Sequence, residues 1–296
     1  MSEPGVRFAW KISTFFPTKD QWIRALRCIQ SEERERIAKF HYQVDAISSM
    51  AGRLLMRKII RDHFGVSNSE IKLSRTEKGK PVLDMPKNNR FSFNVSHHGD
   101  YVIAAAQVGS PIGVDIMTID SPSAERTVKG YINLMSKQFS KDELDALNSY
   151  EGDSQKMEHF YRLWCLKESY VKAVGVGITI PLHEIEFSTP VKRLSTKRVV
   201  GDTKFFIKGS LKDQWTFEES KLDINHVACV ATVGNERVSN KSLHQAKFSE
   251  VNFDDVVEEL ENCNDELNDE EIYWEKFSGN PRLNVNKADR FCGCFE

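Results

Sequence analysis

Three apolar runs follow one another between residues 91 and 117, and no other stretch limits the fold as much. "FSFNVSH" alternates Phe91, Phe93 and Val95 with Ser92, Asn94 and Ser96, the two-residue period of a strand. "YVIAAAQV" follows across His98-Gly99-Asp100, and "IGVDIM" follows Pro111. This spacing predicts a meander or a set of hairpins.

Helical patterns stand on both sides of it. Upstream, Thr18 and Gln21 form a capping box ahead of "WIRALRCI", Ser31 with Glu32 and Glu33 starts a helix running to Phe40, and "DAISSMAGRLLMRKIIRDHFG" ends at Gly65. "IKLSRTEKGKPVL" reads as two short strands around a polar turn. Downstream, Ser140 and Glu143 cap "KDELDALNSY", and a helix over 157–174 ends at Gly175. Strands recur at "EIEF", "KFFIKG", "WTFEES" and "HVACVATV". Each half combines helices with an antiparallel sheet, so the class is α+β. The expected division is 8–110, 111–238 and an acidic tail, 239–296, partly disordered.

Charge supports a tail of its own. The net charge is −2, yet residues 247–296 hold 14 acidic and 5 basic residues, leaving 29 acidic and 36 basic in residues 1–246. A cationic body suits a phosphorylated ligand or an acidic partner. No apolar run is long enough for a signal h-region or a membrane span, and the six cysteines are scattered, so a cytosolic protein with reduced thiols is expected. Cys292 and Cys294 lack a second pair at zinc spacing.

The chemistry-bearing residues lie at four places. In "WCLKESYVK", a helical wheel puts Phe160, Leu163, Trp164, Val171 and Val174 on one stripe with Lys167 in its middle and Glu168 and Lys172 along an edge. In "IGVDI", Ile112, Val114 and Ile116 face one way and Gly113, Asp115 and Met117 the other. A carboxylate there is either a hydrogen-bonded core Asp or a metal ligand, since an unpaired one would be expensive. "RTEKGKP" presents Arg75, Lys78 and Lys80 around Gly79, and Arg53 interrupts an apolar helix as a snorkelling or anion-binding side chain. His97 closes the first strand, where it is either structural or free to meet an anion.

"RTEKGKP", "FNVSH", "GVDI" and "WCLKESYVKAVGVG", in this order, resemble the 4'-phosphopantetheinyl transferases of the larger, two-halved type, and most closely the animal enzyme that services several carrier proteins. The resemblance spans roughly residues 8–235. It implies two similar α/β halves related by a pseudo-twofold, with coenzyme A as co-substrate in the cleft between them. Asp115 and Glu168 would be the Mg²⁺ ligands, and Asp115, Glu168 and Lys172 the catalytic set. Arg53 and the turn Arg75, Thr76, Glu77, Lys78, Gly79, Lys80 would hold the 3'-phosphoadenosine end, and Asn94, Val95, Ser96 and His97 would line the same groove. Lys167 and Lys172 would face the pyrophosphate. Many bacterial members carry a third carboxylate two residues after the Asp; here that position is Met117, and water is expected in its place.

The implied reaction moves the phosphopantetheine arm of coenzyme A to a serine of apo acyl carrier protein domains, such as those of fatty-acid synthase or of aminoadipate-semialdehyde dehydrogenase type enzymes. The chain is expected to act as a monomer, without nucleic acid or membrane. A coenzyme A sensor without turnover would have no need of Glu168 as a base. A nucleic-acid binder would carry a recognition signature that is absent here.

Overall fold

The computed structural model describes residues 5–77, 79–88, 90–122, 126–175, 181–234, 247–260, 262–263 and 266–282. In chain order come strand β1 (Val6–Lys11), helices α1 (Lys19–Arg27), α2 (Ser31–Ile37) and α3 (Gln43–Phe64), and strands β2 (Lys72–Arg75), β3 (Pro81–Met85), β4 (Phe91–His98), β5 (Tyr101–Val108) and β6 (Ile112–Thr118). Helices α4 (Val128–Met135), α5 (Lys141–Asn148) and α6 (Asp153–Val174) follow. Strands β7 (Ile185–Ser188), β8 (Lys204–Ile207), β9 (Ser210–Leu211), β10 (Trp215–Asp223), β11 (His226–Val233) and β12 (Ser249–Val251) lead to helices α7 (Phe253–Val257) and α8 (Glu270–Gly279). No helix among the described residues is long and apolar enough to cross a membrane.

The chain forms two units that its sequence does not enter in simple order. One comprises residues 8–89, 100–104 and 249–296; the other comprises 1–7, 90–99 and 105–248.

In the first unit α3 is the spine, with Leu54, Leu55, Met56, Ile59 and Ile60 buried. Gly65 ends it in the left-handed conformation (φ 64°) that glycine adopts without strain. The Thr18–Gln21 capping box opens α1 as expected. The expected separate tail is corrected for its described residues. Strand β12 pairs in parallel with β1, Phe8 opposite Ser249, and Phe253, Val256, Val257, Leu260 and Phe277 are buried. Phe277 stacks on Trp22 with ring centroids 3.8 Å apart. Some acidic residues of this segment meet bases of the earlier helices: Glu259 lies 2.5 Å from Lys58 and 3.2 Å from Arg61, and Glu270 lies 2.5 Å from Arg27. Apolar burial together with these pairs makes the segment part of the unit's core.

In the second unit β6 does not continue a meander from β5. It is an edge of the antiparallel sheet β10-β11-β6, with Asp115 opposite Cys229. Its other flank is met by β4 through side chains. Ser92 Oγ accepts from Ile112 N (3.2 Å), Asn94 Oδ1 from Val114 N (3.1 Å) and His98 Nδ1 from Thr118 N (2.9 Å). The polar positions of "FSFNVSHH" thus satisfy edge amides that would otherwise be left without partners. The expected strand alternation is present, but its polar face is turned to protein, so Asn94 and Ser96 are buried.

Helix α6, ended by Gly175 (φ 71°), lies directly on β6, and the residue that lets it do so is Gly113. A Cβ there would sit 2.0 Å from Ser169 O and 2.3 Å from Ala173 N, far inside contact distance. Gly113→Ala must push α6 off the strand. We expect a loss of about 1–3 kcal/mol in chemical denaturation. Wild-type stability in this variant would contradict the close approach.

Candidate active site

Helix α6 carries Glu168 and Lys172 one turn apart, and β6 carries Asp115 beneath them. Asp115 and Glu168 are 1% and 3% exposed. One oxygen of Asp115, Oδ1, accepts from Lys172 Nζ (2.6 Å) and Ser96 Oγ (2.8 Å), and the same lysine also donates to Ser96 Oγ (2.8 Å). The other oxygen, Oδ2, is buried without a hydrogen-bond donor, as is Glu168 Oε1. Burial first, then the charge of Asp115, pushes the Glu168 carboxyl up to about 7, with Lys172 opposing. The site thus holds two buried carboxyl groups, one of them ion-paired with Lys172, and each has an oxygen without a donor.

Two such acceptor-only oxygens in buried carboxyl groups are costly unless a cation supplies the missing charge. The donor set therefore fits a hard divalent cation held by two carboxylates, with water and substrate oxygens completing the shell. Among the described residues no group of three or more His, Cys, Asp or Glu side chains gathers to hold a metal. Met117, in the expected third position, is a buried apolar side chain.

Lys167 requires a correction. It does not face open space: its side chain is wholly buried, as is that of Glu143, whose Oε2 lies 2.8 Å from its ammonium. The ammonium also donates to Leu182 O (2.9 Å) and Ile185 O, and lies over the rings of Phe139 and Phe187. Burial lowers the lysine's pKa and raises the glutamate's, while each partner opposes the other's shift. Glu143 is the acid of the α5 capping box, accepting from Ser140 N (2.9 Å), and its second oxygen accepts from Phe187 N (3.0 Å). The lysine in the apolar stripe thus has a protein counter-ion, and its three donors leave nothing to offer a pyrophosphate.

The basic residues expected at the 3'-phosphoadenosine end lie in the first unit. Arg53 is buried in α3 and donates to Ser49 O (2.9 Å), with Glu33 3.5 Å away. Its pKa falls to about 10, chiefly through burial, with Glu33 opposing and Arg75 and Arg36 adding to the fall. Arg75, half-buried, donates to Gly79 O (2.6 Å), and Gly79 makes the bend at φ 78°. Thr76 N donates to Lys80 O (2.9 Å) and Lys80 N to Thr76 Oγ1 (3.2 Å). Burial lowers the pKa of Arg75 and Lys80. Several arginines thus gather around one acid, Glu33. Glu77 and His97 are exposed, Val95 is half-buried, and Lys78 falls outside the described residues.

The structure thus brings Ser96, Asp115, Glu168 and Lys172 together, and separately Arg53 with Arg75. Sequence reasoning missed Glu143, whose only signal was its capping box, and the amide-capping role of Asn94 and His98.

Known proteins bear on this arrangement. Residues 13–109 match the family model for the N-terminal part of 4'-phosphopantetheinyl transferases, and residues 111–233 match that of the 4'-phosphopantetheinyl transferase superfamily. The L-aminoadipate-semialdehyde dehydrogenase-phosphopantetheinyl transferase of Mus musculus is 36% identical over 86% of each chain. Its Xenopus laevis counterpart is 35% identical over 94% of this chain and 93% of its own. The 4'-phosphopantetheinyl transferase Sfp of Bacillus subtilis is 34% identical over 54% of this chain and 66% of its own. An α+β fold with these two halves is that of a transferase enzyme. The chain belongs to the 4'-phosphopantetheinyl transferase family.

Proposed function

We propose that Glu168 is the base by which this enzyme moves the 4'-phosphopantetheine arm of coenzyme A to a serine of an apo carrier protein. The observation that supports this reading best is the buried Asp115–Lys172–Glu168 group with its two undonated carboxylate oxygens. The serine oxygen attacks the phosphorus that carries the arm, the bond from that phosphorus to the bridging oxygen breaks, and adenosine 3',5'-bisphosphate leaves. The serine proton goes to Glu168, whose raised pKa suits a proton acceptor near neutrality. Lys172 would turn part of its charge to the diphosphate. Asp115 and Glu168 would hold Mg²⁺, which supplies charge neutralisation at the diphosphate when bound. Arg53, Arg75, Lys78 and Lys80 are assigned to the 3'-phosphate, and Asn94, Ser96 and His97 to the same coenzyme.

The acceptors are carrier domains of fatty-acid synthase and of aminoadipate-semialdehyde dehydrogenase type enzymes, met in the cytosol by a monomer. Incubation with coenzyme A, Mg²⁺ and a panel of apo carriers, followed by intact mass measurement, tests the reading. One added arm per acceptor serine is expected, and unmodified carriers throughout would refute it.

The Glu168 carboxyl also gives a pH signature. Its folded-state pKa of about 7 lies above the ordinary value of 4.5, so folding favours the protonated form. That contribution is complete below pH 4.5 and is lost as pH rises through about 7. Without divalent cations the protein is expected to lose on the order of 3 kcal/mol over this range, and Glu168→Gln should remove that loss. A cation favours the ionised carboxylates, reverses the trend and releases protons near neutrality. Urea titrations in chelator at several pH values check this; an equal pH slope in Glu168→Gln would place the titration elsewhere.

A further inference from the structure

Residues 187–201 contain four cations, Lys192, Arg193, Lys197 and Arg198, and no acidic residue. All four are exposed, and among the described residues none has a carboxylate within ion-pairing distance. Nearby cations of the same unit do pair: Lys208 with Glu184 at 3.3 Å and Lys221 with Glu158 at 2.8 Å. Of the four, Lys192 has a neighbour of another kind, the ring of Tyr150, at 5.7 Å.

This segment is firmly framed. Leu194, Val199 and Val200 are buried. Val191 O accepts from Arg162 Nη1 at 2.5 Å, and Val200 exchanges both backbone hydrogen bonds with Glu219 at 2.8 Å. Arg162 is itself locked by a buried fork onto Glu219, at 2.6 and 2.9 Å. The cations therefore stand on a fixed frame, so meeting an anionic surface costs little ordering. Four unneutralised like charges within seven residues raise the local potential and favour encounter with acid.

The frame is anchored to the helix that carries the reacting group. Arg162 precedes Glu168 by six residues, about 9 Å along α6, whereas a domain of about 100 residues has a radius of gyration near 13 Å. A protein acceptor is therefore broad enough to reach beyond the helix segment it reacts on. We infer that the 192–198 loop is a docking surface for an acidic face of the protein acceptor, outside the reacting centre. This rests on the transfer reading above.

The test uses the full chain with an acidic apo carrier and reads transfer by intact mass. The variants are the charge reversal K192E/R193E/K197E/R198E and the neutral set K192Q/R193Q/K197Q/R198Q. At about 50 mM salt the reversal is expected to raise the carrier KM about tenfold or more, the neutral set by less. The kcat and the coenzyme A affinity should stay within about twofold, and the KM difference should shrink toward none by about 500 mM salt. An unchanged carrier KM in both variants would overturn the proposal, as would a fall in kcat alone. Binding of the wild-type chain to anionic vesicles, with the carrier KM unmoved in the variants, would assign the loop to a lipid surface instead. A wild-type chain that adds no arm at all would defeat the transfer reading itself, a result distinct from each of these.

Discussion

Glu168→Gln should lower transfer by about 10²–10⁴-fold while leaving coenzyme A affinity within about threefold. The substitution keeps the side chain's size and its place on α6, so Asp115 keeps its neighbour, but the amide cannot take the serine proton. It also removes a negative charge from a buried site in which Asp115 Oδ2 and Glu168 Oε1 have no donor. Single-turnover transfer read by intact mass, with calorimetry for coenzyme A, separates the two effects. Turnover above about a tenth of wild type would take the base role from Glu168. A parallel loss of coenzyme A binding would instead make it a binding residue.

Lys167→Ala should destabilise the second unit by about 3–5 kcal/mol, the usual result of removing one partner from a buried ion pair. The reason lies in what remains: the Glu143 carboxylate keeps its two amides but loses its cation, and the carbonyls of Leu182 and Ile185 lose a donor. Replacing both partners, as Lys167→Met with Glu143→Gln, is expected to recover much of the loss because no buried charge is left alone. Denaturation in urea, followed by tryptophan fluorescence, checks this. A stable Lys167→Ala with a raised KM for coenzyme A would return the lysine to the pyrophosphate.

The contrast between Lys167 and Glu168, adjacent in the chain, shows how far the sequence could be read. A helical wheel gives angular position, and that was enough to place Glu168 and Lys172 on one edge of α6; that Asp115 meets them was implied only by the family resemblance. It does not say what stands across from the apolar stripe. The counter-ion of Lys167 is Glu143, on another helix, and its local pattern was already accounted for as a capping box. The edge status of β6 was equally hidden, because its partner β11 lies over a hundred residues onward.

The packing of the acidic tail is hidden in the sequence for a different reason. Phe253, Val256, Val257 and Leu260 follow the i, i+3, i+4, i+7 spacing of a buried helical face, and all four are buried. The density of Asp and Glu around them has the pattern of a solvated extension. The bases that neutralise Glu259 and Glu270 lie some two hundred residues earlier, on α1 and α3. Net charge computed segment by segment cannot detect a pairing made across the chain.

Direct titration of Mn²⁺ as a Mg²⁺ surrogate, followed by electron paramagnetic resonance in the presence of coenzyme A, tests the shared carboxylate site most directly. The wild-type chain should take up one ion per molecule, and Asp115→Asn and Glu168→Gln should each weaken that uptake by about tenfold or more. Uptake of one ion with wild-type affinity in either variant would contradict a site built from both carboxylates.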